Sequence, residues 1–181
     1  MKPTEVLKGE HKIILVALAG AEKQAKAIES TGKIDGEKTE RILDFFRNFT
    51  DRCHHSKEEK HLFVALQQRG FRPDVGPIAV MLAEHQHGRN RLKAVADALP
   101  KASTGDRTAL RQVKENLIAY VKLLKEHIIK EDNVLFAMAE KALTSGDQTA
   151  LSEAFEKAEA NEIGEGVHEK YHKIAHELAA G

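Results

Sequence analysis

The sequence has few of the residues that interrupt helices or cross-link secreted domains. Its 181 residues include one cysteine, Cys53, with four prolines, two tyrosines and no tryptophan. A single cysteine excludes an internal disulfide, and the opening stretch MKPTEVLKGEHK lacks the apolar core of a secretory signal. These absences predict a cytoplasmic location. Scarce proline alongside abundant Ala, Leu, Glu and Lys favours helices.

An excess of charge and a long apolar run are also missing. The chain carries 28 basic and 28 acidic side chains, so its formal net charge is zero. This balance argues against a nucleic-acid or anionic-membrane binder that works through bulk electrostatics. No apolar run approaches the roughly 20 residues of a membrane-spanning helix. We therefore expect no nucleic-acid partner and no membrane span, and the oligomeric state stays open.

The apolar periodicity predicts five helical segments and no strands. They cover about residues 3–30, 37–68, 78–99 and 107–143, followed by a weaker segment that IGEGV interrupts. Four long amphipathic helices with short loops predict an all-α protein, an up-down-up-down antiparallel four-helix bundle. Residues 1–145 would form the bundle, and residues 146–181 a C-terminal helical extension packed on it.

Histidine is the abundant residue, with ten copies, and a motif that contains it occurs twice. HHSKEEKHLF starts at His54 and HIIKEDNVLF starts at His127, and both place a glutamate four residues later, at Glu58 and Glu131. This spacing projects imidazole and carboxylate from one helix face. A further histidine precedes each motif by 43 and 42 residues, respectively. The pattern indicates one helical hairpin used twice, with pseudo-twofold symmetry.

The positions of these groups along the helices predict one shared layer. Two histidines lie about two turns from the starts of the first and third helices, and the two motifs lie about three turns from the ends of the second and fourth. Four imidazoles and two carboxylates suit two metal ions, each with two nitrogen ligands and bridged by both carboxylates; such donors favour iron and similar metals. The predicted ligands are His11, His54, Glu58, His85, His127 and Glu131.

The order His, His-x-x-x-Glu, His, His-x-x-x-Glu resembles the hemerythrin-like family of bacterial type, also called HHE cation-binding domains. CHHSKEEKHLF, MLAEHQHGR and EHIIKEDNVLF are similar to its second, third and fourth helices, and the resemblance covers about residues 5–143. It implies two non-haem iron ions, oxo- or hydroxo-bridged, held by the six predicted ligands with Glu58 and Glu131 as bridges. It also implies binding or reduction of a small ligand such as O2, NO or peroxide. The alternative is a non-catalytic metal-binding or iron- or oxygen-sensing module.

Two positions depart from the oxygen-carrying members of that family. Those members have a second histidine four residues after that of the third helix, where this chain has Arg89. Their fourth-helix carboxylate is an aspartate five residues after its histidine, so Asp132 competes with Glu131 as the bridge. Two histidines per iron would leave both irons with an exchangeable position. This argues against a reversible oxygen carrier and resembles the members linked to nitric oxide, peroxide and iron handling, including iron–sulfur repair.

Three polar residues near the predicted ligands have less defined roles. His55 lies about 100° around the helix from His54, so we expect an outer position, with a hydrogen bond to a ligand. His61 is expected to line a pocket one level deeper. Glu84 precedes a predicted ligand and either hydrogen-bonds to a ligand or is a solvated charge.

The C-terminal stretch GVHEKYHKIAHEL places histidines at every fourth residue along one stripe of a helix. One interpretation is a surface stripe, or a helix that packs on the bundle. The other is that His168 or His172 reaches the open metal position and replaces the histidine that is missing at Arg89.

Overall fold

The computed structural model describes residues 1–160, 164 and 166–180. All regular elements within these ranges are helical, as predicted, and the helices form a bundle. None of the described helices combines the length and apolar composition that crossing a bilayer requires. In chain order they are α1 (Pro3–Thr31), α2 (36–68), α3 (Gly76–Ser103), α4 (107–142), α5 (Ser145–Ala158) and α6 (Val167–Ala180).

Local signals in the sequence mark where the helices begin and end. Gly32 adopts a left-handed conformation (φ 64°) and ends α1. The side chains of Asp35 and Asp106 accept hydrogen bonds from backbone amides at the starts of α2 and α4. One predicted boundary was wrong: α3 continues through Pro100 to Ser103. Proline is tolerated there because it removes a single backbone hydrogen bond close to the helix end.

Two of the helices contain π-helical stretches. These stretches are Phe46–His55 and Glu58–Leu62 in α2, and Glu131–Leu135 in α4. A π-helix has hydrogen bonds from residue i to i+5, so each residue turns through a smaller angle than in an α-helix, and such stretches often lie at functional sites. The two five-residue stretches begin at the glutamates of the repeated motif. The sequence repeat is therefore also a structural repeat.

Two apolar clusters form the core, and a layer of buried polar residues interrupts it along the helices. The larger cluster includes Tyr171, Ala175 and Leu178 of α6, and the smaller one includes Leu151 and Phe155 of α5. The C-terminal helices thus complete both parts of the core. The apolar residues at the end of each repeated motif all lie in the smaller cluster: Leu62, Phe63, Leu135 and Phe136.

The contact between α1 and α6 is close enough for a mutational test. A Cβ atom added to Gly20 would lie 2.7 Å from the carbonyl oxygen of Leu178, whereas one added to Gly9 would meet no atom within 4 Å. We expect Gly20→Ala to destabilise the fold by about 1–3 kcal/mol, as overpacking does. Gly9→Ala, the control, should stabilise it by about 0.5–1 kcal/mol through helix propensity. Urea unfolding measures both, and equal stability of the two variants would contradict this packing.

Candidate metal centre

The structure brings all six predicted ligands together in one buried layer. Two of them come from α2 and two from α4, whereas α1 and α3 supply one histidine each. Every one of these side chains is at most 1% exposed. Polar groups buried to this degree need partners, because desolvating them is costly. The six residues are His11, His54, Glu58, His85, His127 and Glu131.

The four histidines form two pairs through their Nε2 atoms. The Nε2 atoms of His11 and His54 are 3.0 Å apart, and those of His85 and His127 are 3.2 Å apart. Two nitrogen ligands at right angles around a metal, each about 2.1 Å from it, lie about 3.0 Å apart. Each pair therefore has the spacing of two neighbouring ligands on one metal ion.

The two glutamates each lie between the histidine pairs. Glu131 Oε2 lies 3.2 Å from Nε2 of both His11 and His127. Glu58 places one oxygen 3.5 Å from Nε2 of His54 and the other 3.4 Å from Nε2 of His85. Their four oxygens are fully buried and make no hydrogen bond with any residue that the structure describes. A cation between each histidine pair would satisfy them, so the donor set fits two bound metal ions.

A carboxylate on the far side orients each of these four histidines. Nδ1–H donates to the carboxylate, and this leaves the lone pair of Nε2 directed to the centre, as ligating histidines require. The distances are between 2.7 and 2.9 Å. The acceptors are Asp132 for His11, Glu10 for His54, Glu59 for His85 and Glu84 for His127.

These contacts separate the roles of Glu131 and Asp132, which the sequence left in competition. Glu131 is fully buried and faces two ligating nitrogens. Asp132 is one-third exposed, and its Oδ1 accepts a hydrogen bond from Nδ1 of His11. Glu59 stands at the same place in the repeated motif and orients His85 in the same way. In this structure, Asp132 orients His11, and Glu131 faces His11 and His127 from a position in which a carboxylate could bridge two metal ions.

His55 lies inside the site, not in the outer position that we predicted. It is 5% exposed, and its ring stacks on that of His85 with centroids 3.8 Å apart. Its Nε2 has no hydrogen-bond partner among the residues of the described ranges. The prediction assumed α-helical rotation, but His54 and His55 lie in a π-helical stretch, where consecutive side chains diverge by less than 100°. Both histidines therefore point to the interior.

The donor atoms form two groups when His55 is included. Within each group they all lie within 4.8 Å of one another. Glu58 belongs to both groups, which is the arrangement of a bridging ligand. One group is His11, His54, Glu58 and Glu131, and the other is His55, Glu58, His85 and His127.

The negative charge of the glutamates dominates the electrostatics of the layer. Burial opposes protonation of His11, but its contacts with Asp132 and Glu131 outweigh burial and raise its pKa to about 9. His127 is likewise buried, and its contacts with Glu131 and Glu84 raise its pKa to about 10. His55 differs, because burial and the neighbouring cationic groups, His85 foremost, hold its pKa well below the usual value. The layer thus attracts positive charge to its centre while His55 keeps a free lone pair.

Arg89, the residue that argued against an oxygen carrier, pairs with two carboxylates. Its guanidinium lies 2.7 Å from Asp51 and 2.7 Å from Glu59. Glu59 in turn accepts the hydrogen bond from His85. Arg89 therefore holds a carboxylate that orients a ligand and supplies no donor atom itself.

The histidines of α6 lie outside both donor groups. The ring of His168 packs against Phe49, and its Nε2 lies 3.8 Å from Glu10. His172 is exposed, with its ring beside that of His176. The structure gives neither histidine the position of a ligand, because the positions nearest the centre are filled from α1 to α4. His61 lies near Phe155 of α5, also away from the donor atoms.

A comparison with known protein families identifies the family of this chain. A sequence model described as the hemerythrin HHE cation binding domain matches residues 2–139. The chain belongs to this family. The hemerythrin HHE domain is a metal-binding module, and the two buried groups of histidine and glutamate are able to hold metal ions.

The relatives found among curated proteins add little on function. A protein of Mycobacterium bovis and one of Mycobacterium tuberculosis, both described as uncharacterized, are 28% identical to this hemerythrin HHE protein over 119 residues. The alignments cover 66% of this chain and 46% of each relative, so the chain spans less than half the length of these relatives. No solved structure matches the chain significantly.

Proposed function

We propose that this hemerythrin HHE protein is a non-haem diiron protein that binds or reduces a small ligand such as O2, NO or peroxide. The carrying observation is that Glu58 and Glu131 each lie between two histidine pairs, buried and without hydrogen bonds to the described part of the chain. Mixed imidazole and carboxylate donors suit iron. Iron, when bound, supplies the exchangeable position and the electrons that such a ligand needs.

The two metal positions that we propose are unequal. His11 and His54 would hold one ion, and His55, His85 and His127 would hold the other, with Glu58 in both donor groups and Glu131 facing His11 and His127. The ion held by fewer histidines would have room for an exchangeable ligand. The argument from the sequence against an oxygen carrier assumed two histidines on each ion, so it no longer applies once His55 is counted. O2, NO and peroxide are therefore all candidates.

The protein's own groups prepare the site for such a ligand. The four outer carboxylates fix the imidazole rings before metal binds, which lowers the cost of ordering the ligands. Phe136 stacks on His11 and Phe63 stacks on His85, and both phenylalanines are at most 1% exposed. These rings exclude bulk water from that side of the layer. Exclusion of water strengthens the attraction between the glutamates and a bound cation.

Several coarser predictions become part of the same proposal. We propose that α1 to α4 run up-down-up-down, because residues early in α1 and α3 meet residues late in α2 and α4. We also propose residues 1–145 as the metal-binding domain and residues 146–181 as its extension. This division is supported by the ligand positions, all of which precede residue 132.

The proposal is tested on the full chain purified in air and reconstituted anaerobically with ferrous iron. We expect two iron ions per chain and, after oxidation, the near-ultraviolet charge-transfer bands of bridged diferric iron. NO or O2 added to the reduced protein should change the spectrum. Catalytic consumption of peroxide or NO would identify an enzyme, whereas binding without turnover would favour the sensing module. Failure to retain iron would overturn the proposal.

Removal of His55 should weaken one metal position in a way that imidazole can repair. A small cavity of about 10 Å³ already adjoins His55 and His85, so His55→Ala leaves space for a free imidazole molecule. We expect the affinity for the second iron ion to fall by more than the roughly 10–100-fold typical of outer residues. Added imidazole should restore it.

Calorimetric titration of the metal-free variant with ferrous iron, with and without imidazole, measures this effect. His172→Ala is the control, because His172 is exposed and away from the donor groups. If His55→Ala binds ferrous iron as tightly as the wild type does, His55 is not a metal ligand and has the outer role that the sequence predicted.

A further inference from the structure

A buried lysine lies behind one of the proposed ligands. Lys57 is 1% exposed, and its Nζ donates hydrogen bonds to Glu10 and to Glu159, the latter at 2.5 Å. The same Glu10 accepts the Nδ1–H of His54. The contacts therefore run from Glu159, just after α5, through Lys57 and Glu10 to His54. None of this serves the metal site directly.

The repeated motif supplies a natural comparison on the other side of the site. Lys130 follows His127 by three residues, as Lys57 follows His54. It donates a hydrogen bond to Glu84, the carboxylate that orients His127. However, Lys130 is 40% exposed, against 1% for Lys57. Solvent screens the charge of Lys130 and leaves that of Lys57 at nearly full strength.

Both members of the buried pair are charged. The Nζ of Lys57 and Oε1 of Glu10 are in direct contact, and both side chains are 1% exposed, so each would be costly to bury without the other. The other carboxylate oxygen of Glu10 lies 2.8 Å from Nδ1 of His54. The pair is thus a fixed dipole with its negative end against His54.

We propose that Lys57 is a positioning residue that sets the electron donation of His54 to its metal ion, and that Glu159 adjusts this effect from the C-terminal extension. The inference rests on the proposed diiron function and deepens it. A more negative Glu10 pulls harder on the Nδ1 proton, which makes His54 a stronger donor and stabilises the oxidised metal. The positive charge of Lys57 reduces the negative potential that Glu10 exerts on His54, and the negative charge of Glu159 partly offsets that of Lys57.

Two substitutions should therefore move the reduction potential in opposite directions. Lys57→Met removes the positive charge, so Glu10 acts fully on His54 and the potential should fall. Glu159→Gln leaves Lys57 less compensated, so the potential should rise. A merely structural role of this ion-pair chain would loosen the same contacts in both variants and shift them the same way. Lys130→Met, on the exposed side, should shift the potential less than Lys57→Met, because solvent screens the charge of Lys130.

The experiment measures midpoint potential, diferric absorption spectrum and iron content of the iron-loaded full chain. Opposite shifts in the first two variants, with two iron ions retained, support the inference. Shifts in the same direction, or no shift in either variant, overturn the role of Lys57 and leave the proposed diiron function standing. If Lys57→Met loses iron or does not fold, Glu159→Gln decides, because its side chain is 42% exposed and its loss leaves Lys57 paired with Glu10. A wild-type chain that retains no iron overturns the proposed function as well.

Discussion

Replacing Glu58 and Glu131 together with alanine should abolish binding of both metal ions, not one. Each carboxylate lies 3.2 to 3.5 Å from nitrogens of both histidine pairs. Loss of both removes the only anionic groups of the two donor sets found in the described part of the chain. We expect iron content to fall from two equivalents to below about 0.2, more than a tenfold loss of occupancy.

The repeat provides a matched control one residue further along. Glu59→Ala with Asp132→Ala removes two carboxylates that orient His85 and His11 from outside. This control should keep both iron ions, with affinity lower by about 10–100-fold, as is typical of outer partners. Elemental analysis after anaerobic loading compares the two double variants. Full iron content in Glu58→Ala/Glu131→Ala, or complete loss of iron in the control, would contradict these assignments. Glu59 and Asp132 would then be the better candidates for metal ligands.

The six-residue layer could be predicted because it follows from helix geometry alone. A rise of 1.5 Å per residue and an i, i+4 spacing place groups along and around a helix without knowledge of its neighbours. The repeated motif then fixed which faces had to meet. The apolar ends of the two motifs, Leu62 and Phe63 with their counterparts, likewise meet in one apolar cluster.

The position of His55 could not be predicted in this way. Its direction depends on a π-helical stretch, Phe46–His55, that has no clear signal in composition or periodicity. A second adjacent histidine in HHSKEEKHLF was the available sign, since its counterpart in the other motif is Ile128. That difference breaks the pseudo-twofold symmetry and marks the position where the two halves diverge.

The contacts of the C-terminal helices could not be predicted from the sequence either. The histidine stripe suggested a ligand over the centre, but α6 uses Tyr171, Ala175 and Leu178 to pack on the larger apolar cluster. The charged contact with the site comes from Glu159, outside any periodic pattern. Long-range pairs of this kind, 102 residues apart, depend on how helices dock.

The cytoplasmic location stays a prediction.

Removing the metal should lower the melting temperature substantially in the wild type alone. Without a cation, Glu58 and Glu131 stay buried with no hydrogen bond from the residues that the structure describes, and that burial is costly. A metal held at 100 times its Kd stabilises the folded state by about 2.7 kcal/mol, which corresponds to about 5–11 °C for a chain of this size. Two ions should give at least that shift.

The measurement compares melting curves, followed by circular dichroism, of iron-loaded and chelator-treated protein after metal removal is verified. The Glu58→Ala/Glu131→Ala variant is the reference, because it lacks the two carboxylates that both proposed metal positions share. Its melting temperature should not respond to the chelator. Identical curves for loaded and metal-free wild type would mean that the metal binds outside this layer.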